Sequence, residues 1–111
     1  MTPQIWDFTD YKEFLRAWID SQPHQGHGSK ARLARAALCQ TAYISQVVLA
    51  GAHLSPEQAE RIGKFLGFSA EELDYFLLVL QKDRAGTESL RQLFLKQIQA
   101  QHKQRQQLKN R

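Results

Sequence analysis

Small and amide side chains cluster at helical spacing in the middle of the chain. Amide and hydroxyl groups donate and accept hydrogen bonds, which is the chemistry that distinguishes base pairs in the major groove of duplex DNA. The side chains that we assign to this base-reading role are Gln40, Thr41, Ala42, Ser45 and Gln46. The side chains around them that suit contacts with backbone phosphates are Lys30, Arg32, Arg35, His53 and Lys64.

Two short helices are needed to position these side chains. Ala34 gives a small residue midway along the first helix, where a second helix crosses closely. Ile44, ten residues later, gives a branched apolar residue that faces the first helix. The pattern therefore predicts helices over about 29–37 and 41–49, joined by a short break, with Ser29 capping the first helix.

The stretch from Lys30 to Leu49 resembles the lambda-repressor-like (XRE-type) helix-turn-helix, and residues 50–68 look like that family's glycine turn and following helix. The resemblance implies an all-α domain of five or six helices that binds double-stranded DNA sequence-specifically. Such domains usually work as twofold dimers on half-sites one helical turn apart. The family commonly has glycine at the turn, where this chain has Leu38, or Ala37 if the register shifts by one residue. Because leucine disfavours a left-handed backbone, we expect a wider turn here.

A closer resemblance rests on the motifs that flank this unit. F-T-D-Y-K-E-F-L-R at 8–16, L-S-P-E-Q-A-E-R-I at 54–62 and L-D-Y-F-L-L-V-L at 73–80 look like the N-terminal module of a paralogous group of bacterial regulators. The match covers roughly residues 5–82. It implies a role in bacterial transcriptional regulation.

Apolar stripes and capping residues predict four further helices. In the helix nearest the N-terminus, the stripe is Tyr11, Phe14, Leu15, Trp18 and Ile19. Thr9 or Asp7 is its expected cap. Capping boxes at Ser55–Gln58 and Ser69–Glu72 open the fourth and fifth helices, and Thr87 opens the sixth.

The chain divides into a helix-turn-helix domain, 1–86, and a C-terminal helix with a basic tail, 87–111. Within the first part, the helix-turn-helix unit spans about 29–50. The apolar periodicity of the sixth helix fails beyond Gln99. We therefore expect the basic tail to be either a frayed helix or a disordered arm.

Charge and cysteine usage favour a cytoplasmic protein with a polyanionic partner. The net charge is +4, and basic residues concentrate in two blocks, 29–68 and 87–111. The single cysteine, Cys39, cannot form an internal disulfide, which fits a reducing compartment. The N-terminus has no signal-peptide pattern, and the longest strongly apolar run, Tyr75 to Leu80, is too short to span a membrane.

Catalytic and metal chemistry have little support in the sequence. His24 and His27 have a spacing that suits a metal, but they lie in a glycine-containing loop with no cysteine nearby. No glycine-rich phosphate loop and no histidine with a plausible nucleophile partner occur. We therefore expect no enzymatic activity, no cofactor and no metal site.

Two surface features of the helices bear on protein partners. Tyr75, Leu78 and Val79 give the fifth helix apolar surface outside its main stripe, which predicts a homodimer through the fifth and sixth helices. The outer face of the 41–49 helix has little charge for a DNA-reading helix. That composition keeps an alternative open, a non-enzymatic protein-interaction adaptor on the same fold, whose outer face binds a partner protein.

Overall fold

A computed structural model of the protein describes residues 2–109, which contain α-helices and two short 3-10 helices but no β-strand. The α-helices are α1 (Tyr11–Asp20), α2 (Ser29–Ala37), α3 (Thr41–Leu49), α4 (Pro56–Phe65), α5 (Ala70–Arg84) and α6 (Glu88–Lys109). The 3-10 helices are Ile5–Asp7, before α1, and His24–Gly26, between α1 and α2. The prediction of an all-helical protein is confirmed.

The helix starts follow local capping chemistry, with two departures from expectation. Both capping boxes are present, at the starts of α4 and α5. The cap of α1 is Asp10, whose carboxylate accepts the Glu13 amide at 2.9 Å, so neither Thr9 nor Asp7 fills that role. Ser29 does not cap α2 but is its first residue, because Gly28, with φ of 82°, takes the cap position in the left-handed region.

Aromatic rings fill the centre of the core. The stripe predicted for α1 is buried throughout. The ring centroid of Phe14 lies 5.8 Å from that of Phe68 and 5.9 Å from that of Phe76, and these two rings meet edge to face at 5.4 Å. Since each helix from α1 to α6 contributes buried side chains, one continuous core holds α2 and α3 in place.

The central helix is α5, and this corrects the argument for a dimer surface on it. Tyr75, Leu78 and Val79 are buried within the protein itself. They are covered because α5 packs against α1, α4, α6 and the N-terminal 3-10 helix. The apolar side chains outside the α5 stripe are therefore core, and a dimer surface on that helix was the wrong interpretation.

The C-terminal segment, expected to be either a frayed helix or a disordered arm, is helical as far as Lys109. The last two residues lie outside the described residues. Ile98 is buried against α5. One turn further, the His102 ring stacks on Tyr75 with 5.3 Å between centroids. The Arg105 guanidinium lies 3.9 Å from the Trp6 ring centroid. These polar and aromatic contacts replace the apolar periodicity.

Among the described helices, none has the length and apolar character to cross a membrane.

Candidate nucleic-acid interface

The connection between α2 and α3 is a tight turn of three residues. Leu38 takes up the left-handed conformation there, with φ of 60° and ψ of 45°. The following amide, of Cys39, donates a hydrogen bond to the Ala34 carbonyl at 2.9 Å and closes the end of α2. The expectation of a wider turn was therefore wrong. The Leu38 side chain is 74% exposed, so the left-handed conformation costs only the intrinsic backbone strain of an L-residue.

The crossing of α2 and α3 follows the predicted register. Ala34 is 2% exposed, and Leu33 beside it is fully buried. From α3, Ile44 and Val47 are fully buried as well. A small side chain at position 34 lets the two helices approach closely, so one side of α3 is fixed against α2 and the opposite side is left uncovered.

Most of the predicted base-reading residues lie on this uncovered side. Thr41, Ala42 and Gln46 are exposed on α3, Ser45 is half-buried, and Gln40 is exposed just before the helix. Leu49 joins them, since it follows Ala42 by seven residues and is 71% exposed. Sequence reasoning missed Leu49, although its spacing from Ala42 was the available signal. We call Ala42, Ser45, Gln46 and Leu49 the α3 outer face.

One of the predicted phosphate contacts lies beside this surface. Lys30 and Thr41 line the same open groove, of about 650 Å³, between α1, α2 and α3. His24 and His27 contribute to its rim. The structure therefore brings a lysine at the start of α2 next to the start of α3, which is where a DNA backbone runs when a helix enters the major groove.

The other predicted phosphate contacts are distributed differently. Arg32 points away from this groove, because its guanidinium lies 5.5 Å from the Trp18 ring centroid and donates a hydrogen bond to Gln22 at 3.1 Å. Arg35 is exposed on α2. Lys64 is exposed on α4, with its ammonium nitrogen 3.8 Å from a Glu60 carboxylate oxygen. Arg35 and Arg32 are both exposed on α2, but the Arg32 guanidinium is also held by its contacts with Trp18 and Gln22.

His53 is engaged with α1. Its Nδ1 atom lies 2.8 Å from the Tyr11 hydroxyl oxygen. Burial lowers the pKa of His53, and the nearby positive charges of Lys12 and Arg84 lower it further. A neutral imidazole carries no positive charge, so His53 can offer a phosphate only a neutral hydrogen bond.

A set of cationic side chains that sequence reasoning missed anchors the end of α3. Arg16 donates a hydrogen bond to the Val48 carbonyl at 2.5 Å. Lys12 donates hydrogen bonds to the carbonyls of Ala50 at 3.1 Å and Ala52 at 2.7 Å. Positive charge at a helix C-terminus complements the helix dipole and its unpaired carbonyl groups. These contacts from α1 therefore set the direction of α3. They also show that Arg16 and Lys12 bind backbone carbonyls at the end of α3 and in the loop after it.

The fold also bears on metal binding and on the reactivity of the Cys39 thiol. In the part of the chain that the structure describes, no three His, Cys, Asp or Glu side chains converge on one point. Burial raises the pKa of the Cys39 thiol above its ordinary value, which opposes an activated thiolate.

Against known proteins, the chain matches no protein family, no curated protein and no solved structure.

Proposed function

We propose that the protein binds duplex DNA sequence-specifically in bacterial transcriptional regulation. In this proposal α2 and α3 form a helix-turn-helix of the lambda-repressor-like class, and α3 enters the major groove. The observation that carries the proposal is the three-residue turn at Leu38, which packs α3 across α2 and leaves the α3 outer face uncovered. The proposed role is binding without catalysis, in the cytoplasm.

The α3 outer face has the functional groups that base recognition requires. The Gln46 amide can donate to and accept from the N6 and N7 edge of adenine in a bidentate pair. The Ser45 hydroxyl can serve as donor or acceptor, and the Ala42 methyl group suits contact with the thymine methyl. Ala42 and Gln46 are exposed and Ser45 is half-buried on one side of α3, which supports this use because base edges are read by adjacent side chains of one helix.

Phosphate contacts would come from the basic side chains that remain accessible. Lys30 lies in the groove beside Thr41, and Arg35 is exposed on α2. Neutralising a phosphate releases condensed counterions, so binding through these groups must weaken as salt rises.

Selection from a pool of random duplexes tests the proposal. The protein is incubated with the pool at two salt concentrations, and bound sequences are recovered over several rounds. We expect a defined motif and an affinity that falls with salt. Recovery of no motif at either concentration, with binding to the pool no tighter than non-specific association, would contradict sequence-specific recognition.

The exposed leucines favour one second candidate, the protein-interaction adaptor. Leu38 and Leu49 are 74% and 71% exposed, and α3 contains no charged residue. A partner protein would cover these leucines, whereas DNA gains little from them. The variant Leu49→Lys separates the two functions. Added positive charge leaves DNA affinity equal or higher in the DNA-binding account. The adaptor account instead predicts that Leu49→Lys weakens partner binding, and that the wild-type protein selects no DNA motif.

A further inference from the structure

The side chains of α3 suit one of the two kinds of base pair better than the other. The helix reads T-A-Y-I-S-Q-V-V-L from Thr41 to Leu49 and contains no arginine, lysine, aspartate or glutamate. Guanine presents two acceptors in the major groove, O6 and N7, which arginine or lysine recognises, and cytosine presents the N4 donor, which a carboxylate accepts. Since α3 has neither kind of charged side chain, both bases of a G·C pair lack their matching partner on it.

Basic side chains from α1 and α2 do not replace the missing arginine on α3. Arg16 and Lys12 donate to backbone carbonyls at the end of α3 and in the loop after it. The Arg32 guanidinium is held over a tryptophan ring. Lys30 and Arg35 are the two that the proposed function uses on phosphates. Recognition of guanine therefore has no side chain assigned to it on this side of the protein.

An A·T pair, in contrast, finds a partner for each of its bases on the α3 outer face. Adenine presents the N7 acceptor beside the N6 donor, and a carboxamide such as that of Gln46 binds both at once. Thymine presents a methyl group, which a small apolar group such as the Ala42 methyl contacts. Both side chains are exposed, one helical turn apart on the same side of α3. Four residues rise about 6 Å along a helix, which is less than two base steps of about 3.4 Å.

We propose that α3 recognises A·T pairs, with Gln46 on the N6 and N7 edge of one adenine and Ala42 on a thymine methyl group one or two base pairs away. This inference rests on the proposed function and adds the kind of base pair that the site contains. Because the N-terminal residues of a recognition helix approach the bases, Leu49 at the end of α3 has no part in it.

Base analogues test each contact on the site selected from the random pool. 7-Deazaadenine lacks the N7 acceptor of adenine, and uracil lacks the methyl group of thymine, while both keep their Watson–Crick pairing. We expect 7-deazaadenine at one position to raise the Kd of the wild-type protein about fivefold or more. Uracil at a thymine one or two pairs away should raise it about fourfold.

Variants of the protein assign these responses to single side chains. Gln46→Ala should abolish the response to 7-deazaadenine alone, and Ala42→Ser should abolish the response to uracil alone. The matched control is Gln97→Ala, which removes an exposed glutamine from α6 and should keep both responses. Circular dichroism checks that each variant keeps its fold.

Gln46→Arg gives a result that loss of folding cannot imitate. Arginine pairs with the O6 and N7 acceptors of guanine, so a second selection with this variant should replace adenine by guanine at the same position. A wild-type motif determined by G·C pairs, or an affinity that either analogue leaves unchanged at every position, would overturn this inference and leave sequence-specific DNA binding standing. Selection of no motif would overturn both.

Discussion

The hydroxyl oxygen of Tyr11 lies 2.8 Å from Nδ1 of His53 and accepts the Leu54 amide at 3.2 Å. Burial raises the pKa of Tyr11 to about 12, so the phenol stays protonated at neutral pH. Its proton is then available to the imidazole nitrogen, while its oxygen accepts the amide. One side chain of α1 thus holds the loop that follows α3, and with it the end of the proposed reading helix.

We expect Tyr11→Phe to lower the free energy of unfolding by about 1–3 kcal/mol, because the buried Leu54 amide loses its acceptor. Tyr43→Phe is the matched control. The Tyr43 hydroxyl donates to the His53 carbonyl at 2.5 Å, but that carbonyl belongs to a half-buried residue that water can reach. Urea denaturation measures the free energy of unfolding of both variants. Equal decreases would contradict a larger contribution from the Tyr11 hydroxyl.

Stability should decrease as the solution becomes mildly acidic. The folded protein holds the pKa of His53 below the 6.5 of an ordinary histidine, through burial and then the charges of Lys12 and Arg84. The unfolded chain therefore takes up its proton first as pH falls, and the free energy of unfolding drops below pH 6.5.

The measurement is chemical denaturation at several pH values between about 7 and 5. His53→Gln should flatten the decline, while the exposed His27→Gln should leave it unchanged. A decline that is identical in the wild type and in His53→Gln would assign the pH dependence to another group.

The turn before α3 stores backbone strain that a substitution can remove. Leu38 has a φ of 60°, which costs an L-residue energy that glycine avoids. Because the side chain is exposed, its loss removes little packing. We expect Leu38→Gly and Leu38→Asn each to raise the free energy of unfolding by about 0.5–1 kcal/mol in thermal or urea melts. Destabilisation by both substitutions would mean that the leucine side chain makes a contact that matters.

Local sequence rules explain which parts of the fold were predictable. The capping boxes at Ser55 and Ser69 depend on residues three apart, so they could be read directly. The conformation of Leu38 could not, because the packing of α2 on α3 outweighs the preference of one residue. Nor could the environment of Tyr75, which depends on how many helices surround α5.

The C-terminal half of α6 shows the same limit. Its contact with the rest of the protein uses Arg105 on the face of Trp6 instead of an apolar stripe. We expect Arg105→Ala to lower the free energy of unfolding by about 0.5–1 kcal/mol and to change tryptophan fluorescence. Lys103→Ala, which removes an equal charge from an exposed position of the same helix, should change neither. Equal effects of the two variants would indicate that charge, and not the stacking contact, is responsible.

The candidate interface was predictable as a face but not as a set of charges. Helical spacing placed Ala42, Ser45 and Gln46 together, because one helix fixes their relative directions. Which arginines and lysines remain accessible depends on long-range contacts. Arg32 is exposed on α2, yet its guanidinium is held over the Trp18 ring, a contact that sequence reasoning did not predict.

The most direct test of the central proposal compares two variants on two duplexes, the selected site and a scrambled version, across a salt series. Gln46→Ala should lose about 1–3 kcal/mol on the selected site and nearly nothing on the scrambled one, because it removes a base contact. Lys30→Ala should weaken binding to both duplexes alike and lower the salt slope by about one, because it removes a phosphate contact. If both variants show the same pattern, or if the wild-type protein does not distinguish the two duplexes, α3 is not a reading helix.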